Sequence, residues 1–157
     1  MAKYILDTGI LLHYVRGSTL ALYVDNQYSP SVLPNYPIVS VVSIGEMNSF
    51  AYRLKWGTQK QDALKKLLNS IPYVDINNSS ILNRFAEIDA YRFGKHPQKP
   101  LPSGESAKCI GDNDLWIAST ASVLKATLLT TDKDFLIFDK VFLEVIYLDQ
   151  EEFKEKR

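Results

Sequence analysis

The sequence predicts a three-layer α/β/α domain with a central, mostly parallel sheet. Two observations carry this. Short apolar, β-branched runs alternate with longer runs of helical period, the pattern of βαβ units in a sheet covered on both faces. The chain has 157 residues, 46% of them hydrophobic, and neither an internal repeat nor a linker divides it, so one core is expected.

Tyr4-Ile5-Leu6 reads as a buried strand that stops at Asp7. Residues 9–16 and 18–27 read as helices, with Gly17-Ser18 as the break and Pro30, Pro34 and Pro37 marking the loop that follows. The run Ile38–Val42 is the strongest strand signal in the chain. Ser43 and Glu46 have capping-box spacing, which predicts a helix to about Trp56, ended by Gly57. Thr58 and Gln61 repeat that spacing and open a helix to about Ser70. Tyr73–Ile76 is a short strand, and Asn78 or Ser79 opens a helix with Ile81, Leu82, Phe85 and Ile88 on its apolar face. A Pro-rich loop, residues 96–106, is the one candidate hinge. Residues 113–125 are helical in period, Thr127–Thr130 and Leu143–Leu148 are strands, and Phe135–Phe138 is a short helix or turn. Residues 1–148 are read as the domain and 149–157 as a tail whose EEFKEKR segment frays.

Composition excludes several classes of function. Eighteen Lys+Arg balance eighteen Asp+Glu, so no strong global field draws the chain onto nucleic acid, although a local basic patch remains open. Cys109 is the only cysteine and the histidines are His13 and His96 alone. That excludes an intrachain disulfide and a Cys/His zinc cage. Cys109 has no evident His partner and is read as a small buried hydrophobe. The apolar start breaks at Asp7, and no run approaches the ~20 residues a membrane helix needs. A soluble, cytoplasmic protein without membrane association is expected. No Gly-rich phosphate loop and no G-x-S-x-G elbow are present.

The acids are where chemistry is expected. In a parallel sheet, ligands bind beyond the carboxyl ends of the strands. Asp7 ends the first strand, Asp132 follows the Thr127–Thr130 strand, and Glu46 lies in the first turn after the Ile38–Val42 strand. Asp112 and Asp114 open a helix. Each acid also has a purely structural use. Asp7 and Asp112 can cap helices, Glu46 can be the capping partner of Ser43, Asp114 can favour a helix dipole, and Asp132 and Asp134 can shape a turn. Those uses do not explain why several fall at strand ends. Clustered carboxylates repel, and a hard divalent cation with oxygen ligands relieves that repulsion.

The segments LDTGILL (6–12), SIGEM (43–47), NDLWIASTA (113–121) and LLTTDKDF (128–135) resemble, in order and spacing, the four acidic motifs of the PIN domain. The likeness is strongest to the VapC-like toxin ribonucleases and runs from Ala2 to about Leu148. The resemblance implies a PIN-like fold in which Asp7, Glu46, Asp114 and Asp132 are the catalytic and metal-binding acids. Thr130 takes the place of an auxiliary hydroxyl, and Asp112 and Asp134 are auxiliary acids. It implies Mg²⁺ or Mn²⁺ as cofactor, RNA as substrate, homodimerisation, and inhibition by a small antitoxin protein. Many members carry Asn where this chain has Gly9, which removes a side-chain hydrogen bond beside Asp7. A catalytically silent RNA- or protein-binding PIN module is the alternative, and the full set of acids weighs against it. A phosphatase of aspartyl-phosphate type would favour Asp-x-Asp at the first strand, where this chain reads Asp7-Thr8-Gly9.

Two basic stretches are candidate RNA contacts. Arg92, Lys95 and Lys99 are expected to meet phosphates, with Tyr91 or Phe93 available to stack a base. Arg53, Lys55, Lys60, Lys65 and Lys66 form a second set, equally consistent with ordinary charged helix faces.

Overall fold

The computed structural model describes residues 1–154. Five strands form one sheet: β1 (Lys3–Leu6), β2 (Tyr36–Ser40), β3 (Tyr73–Val74), β4 (Thr127–Thr130) and β5 (Glu144–Tyr147). Their order is β3-β2-β1-β4-β5, and every pairing is parallel. Six helices connect them: α1 (Thr8–Arg16), α2 (Thr19–Tyr28), α3 (Val41–Arg53), α4 (Thr58–Ser70), α5 (Ser79–Arg92) and α6 (Asp112–Leu124).

Alternation along the strands creates two cores. Ile5, Ile38 and Leu128 face one layer, with Ile88 and Tyr91 of α5 and Leu115, Ile117, Ala118 and Ala121 of α6. Their neighbours Leu6, Val39 and Leu129 face the other, with residues of α1 to α4 such as Ile10, Leu20, Met47 and Leu64. The period-2 geometry of a strand requires this division, since adjacent side chains point to opposite faces. The predicted three-layer α/β/α arrangement is therefore observed.

Several boundaries differ from the sequence reading. The strand predicted to Val42 stops at Ser40, where pairing to β3 ends. Ser40, not Ser43, caps α3, its hydroxyl accepting from the Val42 N–H at 3.2 Å. Ser43 is fully buried, and Glu46 falls in the second turn, free of any capping duty. Gly57 occupies the cap position of α4, while the Gln61 amide donates back to the Trp56 carbonyl at 2.7 Å. Asp112 is not the cap of α6 either; Gly111 is.

The 93–111 segment is tied down. The His96 side chain is buried, its Nδ1 accepting from the N–H groups of Gln98 and Lys99. Lys108 N–H donates to the Arg92 carbonyl. Cys109 is exposed, because Ile110 beside it takes the buried position. The predicted fraying is also corrected. Gln150–Phe153 forms a 3₁₀ turn, the Phe153 ring lies 5.0 Å from Tyr23, and Thr19 Oγ1 donates to the Phe153 carbonyl. The last three residues of the EEFKEKR segment, 155–157, lie outside the described residues. No helix among the described residues is long and apolar enough to cross a membrane.

Ile5 is fully buried on the central strand. Ile5→Ala is expected to lower stability by about 2–5 kcal/mol in urea denaturation. A loss below about 1 kcal/mol would show that β1 does not anchor this core.

Candidate active site

The strand order reverses beside β1, which has β2 on one side and β4 on the other. Such a switch point opens a crevice at the carboxyl ends of the strands. Asp7 follows β1 there and is 5% exposed. Its N–H donates to the Leu129 carbonyl at 3.0 Å, continuing the ladder to β4. Its Oδ1 accepts from the Thr8 N–H at 2.8 Å, and its Oδ2 accepts from the Thr130 hydroxyl at 2.6 Å. Asp7 thus does cap α1, with one oxygen. Thr130 Oγ1 in turn accepts from the Asp132 N–H at 3.0 Å, so one hydroxyl joins the two acids. Asp132 Oδ1 accepts from the Asp134 N–H at 2.9 Å and caps the 3₁₀ turn Lys133–Phe138.

Glu46 arrives from α3. Thr8 Oγ1 lies 2.8 Å from Glu46 Oε1 and 3.0 Å from Ser43 Oγ. The Thr8 hydroxyl therefore donates to the carboxylate and can accept from Ser43, which orients Glu46 toward Asp7. Sequence reading overlooked Thr8 and gave Ser43 only a capping role. The available signals were a hydroxyl directly after Asp7 and another three residues before Glu46.

Asp114 enters from the first turn of α6. Burial pushes its carboxyl up to about 7, reinforced by the charges of Asp7, Asp132, Glu46 and Asp134. Burial likewise pushes Asp7 up to about 6, against the lowering effect of its Thr130 and Thr8 hydrogen bonds and with the charges of Glu46 and Asp132 adding to the rise. Asp7, Glu46, Asp114 and Asp132 thus share one electrostatic site, with Asp134 at its edge. Asp112 is exposed and does not contribute to that field. Two positions before Asp114, it lies about 200° away around the helix.

None of the ion pairs among the described residues involves Asp7, Glu46, Asp114 or Asp132. Among the described residues, no cation forms an ion pair with this cluster. An all-oxygen donor set with unrelieved repulsion fits a hard divalent ion. Among the described residues no group of three His, Cys, Asp or Glu side chains closes into a ready-made metal cage. An ion that keeps several of its waters needs no closed protein cage. A cavity of about 670 Å³ lies elsewhere, between α3 and α4.

The sequence pattern of the PIN domain matches residues 4–141. The chain belongs to the PIN domain family. No curated protein matches it in sequence. Its fold is similar to that of VapBC2 from Rickettsia felis bound to a DNA fragment from its promoter, at a TM-score of 0.72 and 23% identity over 94% of this chain and 99% of that one. VapBC-1 from nontypeable Haemophilus influenzae gives 0.68 and 22%, over 92% of this chain and 97% of that one. FitAcB from Neisseria gonorrhoeae gives 0.66 and 19%, over 90% and 95%.

Within this PIN domain, Gly9 sits against Thr131. A Cβ at position 9 would run into Thr131 Oγ1. The hydroxyl fills the space beside Asp7 that a side chain at position 9 would take. The expected basic contacts are placed unevenly. The Arg92 guanidinium is taken by Asp89 at 2.8 Å, the Lys108 carbonyl at 3.1 Å and the Phe93 ring at 4.0 Å. Lys95 and Lys99 are exposed, with Lys99 Nζ 5.6 Å from the Phe142 ring. Tyr91 is 1% exposed and packs in the core, which removes it as a base platform.

Two outcomes follow from these bonds and shifts. Thr130→Val keeps the shape but removes the donor to Asp7 and the acceptor for Asp132; it is expected to cost about 1–3 kcal/mol in chemical denaturation. An unchanged midpoint would mean the hydroxyl bridge does not matter to the fold. The second concerns pH. Folded Asp7 and Asp114 hold protons above the ordinary value of 3.8. The native state therefore binds more protons than the unfolded chain between about pH 4 and 7, and stability falls as pH rises through that window. Calorimetry in chelator should show Tm declining from pH 5 to pH 8, with a smaller decline in Asp114→Asn. A rising Tm in wild type, or an identical decline in the variant, would contradict the assignment.

Proposed function

We propose that this PIN domain is a metal-dependent endoribonuclease, the toxin of a toxin–antitoxin pair. The observation that carries the reading is the convergence of Asp7, Glu46, Asp114 and Asp132 from four separate elements on a site that forms no ion pair among the described residues. Mg²⁺ or Mn²⁺ is the cofactor on this reading, held by Asp7, Asp114 and Asp132, with Glu46 as ligand or base and Thr130 and Asp134 in auxiliary roles, whereas Asp112 faces away from the site. When bound, such an ion supplies Lewis-acid polarisation of a phosphoryl oxygen and acidifies its water.

The chain's own side chains do the rest. Thr130 and the Thr8 N–H hold Asp7 in one rotamer. Thr8 aims one Glu46 oxygen, which leaves the other to take a proton from the attacking water. Water oxygen bonds to phosphorus as its proton passes to Glu46, the bond to the 3′ oxygen breaks, and that oxygen takes a proton from solvent while Glu46 returns its own to solvent. Because Thr8 and Thr130 fix these carboxylates in advance, holding a cation there needs no reorganisation.

The similarity to VapBC complexes supports a small antitoxin protein as partner. A homodimer in the cytoplasm completes the proposal.

The test is RNA cleavage by the purified chain. Asp7→Asn should lower the rate by about 10²–10⁴-fold, the range typical of losing a positioned acid–base or electrostatic group. Its folded circular dichroism should be unchanged, because the amide relieves a buried charge rather than creating one. Excess EDTA should abolish wild-type cleavage, and Mg²⁺ or Mn²⁺ should restore it. Full activity in EDTA, or full activity of Asp7→Asn, would refute the reading.

A further inference from the structure

We propose that the groove running from Glu46 along α3 to Arg53 is a nucleotide subsite for a single-stranded RNA substrate, in which Arg53 holds a phosphate next to the one at the acids and Asn113 meets a base edge. The inference rests on the endoribonuclease reading and extends it to a named binding surface.

The groove is a cavity of about 400 Å³ whose lining includes Gly45, Glu46, Ser49, Phe50, Arg53 and Asn113. It is continuous with the acidic site through Glu46 and through Asn113, the neighbour of Asp114. Its volume falls in the ~300–1,000 Å³ range of small-ligand clefts. Spacings of three and four place Glu46, Ser49, Phe50 and Arg53 on one helix face. Arg53 is seven positions beyond Glu46, about 10.5 Å along the axis. Gly45 has open space where a Cβ would stand, so the groove is wide at the end nearest the acids.

Arg53 has the properties a phosphate contact requires. It is exposed, and no hydrogen bond or ion pair holds its side chain among the described residues. Its guanidinium lies 4.9 Å from the centroid of the Phe50 ring. A guanidinium held against a ring keeps its N–H edges free for bidentate contact to an anion. Arg84 and Arg92, by contrast, are engaged by Glu87 and Asp89. The need for such a cation is electrostatic. The acid cluster attracts a divalent ion but repels the flanking phosphates, so the strand must be held by positive charge beyond it. Asn113 is exposed on the opposite wall, and its amide offers both donor and acceptor to a base.

The experiment measures anisotropy of a short fluorescein-labelled single-stranded RNA on the Asp7→Asn protein with Mg²⁺, across a salt series. Arg53→Ala should weaken binding about tenfold, the effect of one charge-assisted contact. It should also reduce the salt slope by about 0.7, one phosphate contact on a single strand. Arg53→Lys should keep most of that slope. Lys125→Ala, at the far end of α6 beside the start of β4, is the charge-matched control and should change neither quantity. Equal affinity and slope in Arg53→Ala, or equal losses in Arg53→Ala and Lys125→Ala, would overturn the subsite. Cleavage by the wild-type chain separates the two readings. Cutting without Arg53-dependent binding removes the subsite alone, whereas Arg53-dependent binding without cutting removes the enzyme reading alone.

Discussion

The Asp7 carboxylate is the group around which this structure is arranged. It is buried at the end of the central strand, where ionisation is costly. Two hydrogen bonds, from the Thr8 N–H and the Thr130 hydroxyl, favour its charged form. Burial outweighs them, and the carboxyl is pushed up to about 6. The arrangement depends on register. β1 and β4 pair Leu6 with Leu129, which sets Thr130 beside Asp7. A slip of one residue would turn the Thr130 hydroxyl to the other face of the sheet and leave Asp7 Oδ2 without its donor.

Two apolar cores enforce that register. Leu128 and Leu129 each belong to a different core, as do Ile5 and Leu6. Any slip would exchange both sets at once. The site is therefore rigid where it meets the sheet, and its remaining acids come in on helices. Glu46 reaches it because α3 begins at Ser40. Starting there places Glu46 one turn further along than a cap at Ser43 would, within reach of the Thr8 hydroxyl. A carboxylate occupied in capping its own helix would not be available to the site.

The sheet was legible in the sequence because its central strands carry buried apolar pairs such as Ile5-Leu6 and Leu128-Leu129, which local pattern identifies well. The order of the acids was legible too, since strand ends and motif spacing place Asp7, Glu46, Asp114 and Asp132 together. What sequence could not supply was the division of labour among neighbouring polar groups. Val41 and Val42 favour a strand by local preference, yet they begin a helix because pairing with β3 runs out at Ser40. Asp112 and Asp114 look alike along the chain and differ only in which side of α6 they occupy. Arg92 looks like a free cation until Asp89 and the Lys108 carbonyl are seen around it. Cys109 was read as buried and is exposed, because a loop residue carries no periodicity from which burial can be read; Tyr91 lies three positions beyond Ile88 on the apolar face of α5, where helical period places it in the core.

The central claim is that four carboxylates with no ion pair among the described residues form a divalent-cation site. Titration of the metal-free protein with Mn²⁺, followed by electron paramagnetic resonance of the free ion, tests it most directly. The account predicts saturable depletion of free Mn²⁺ by the wild-type chain, competition by Mg²⁺, and loss of binding in Asp114→Asn. Absence of saturable binding, or binding that Asp114→Asn leaves unchanged, would contradict it.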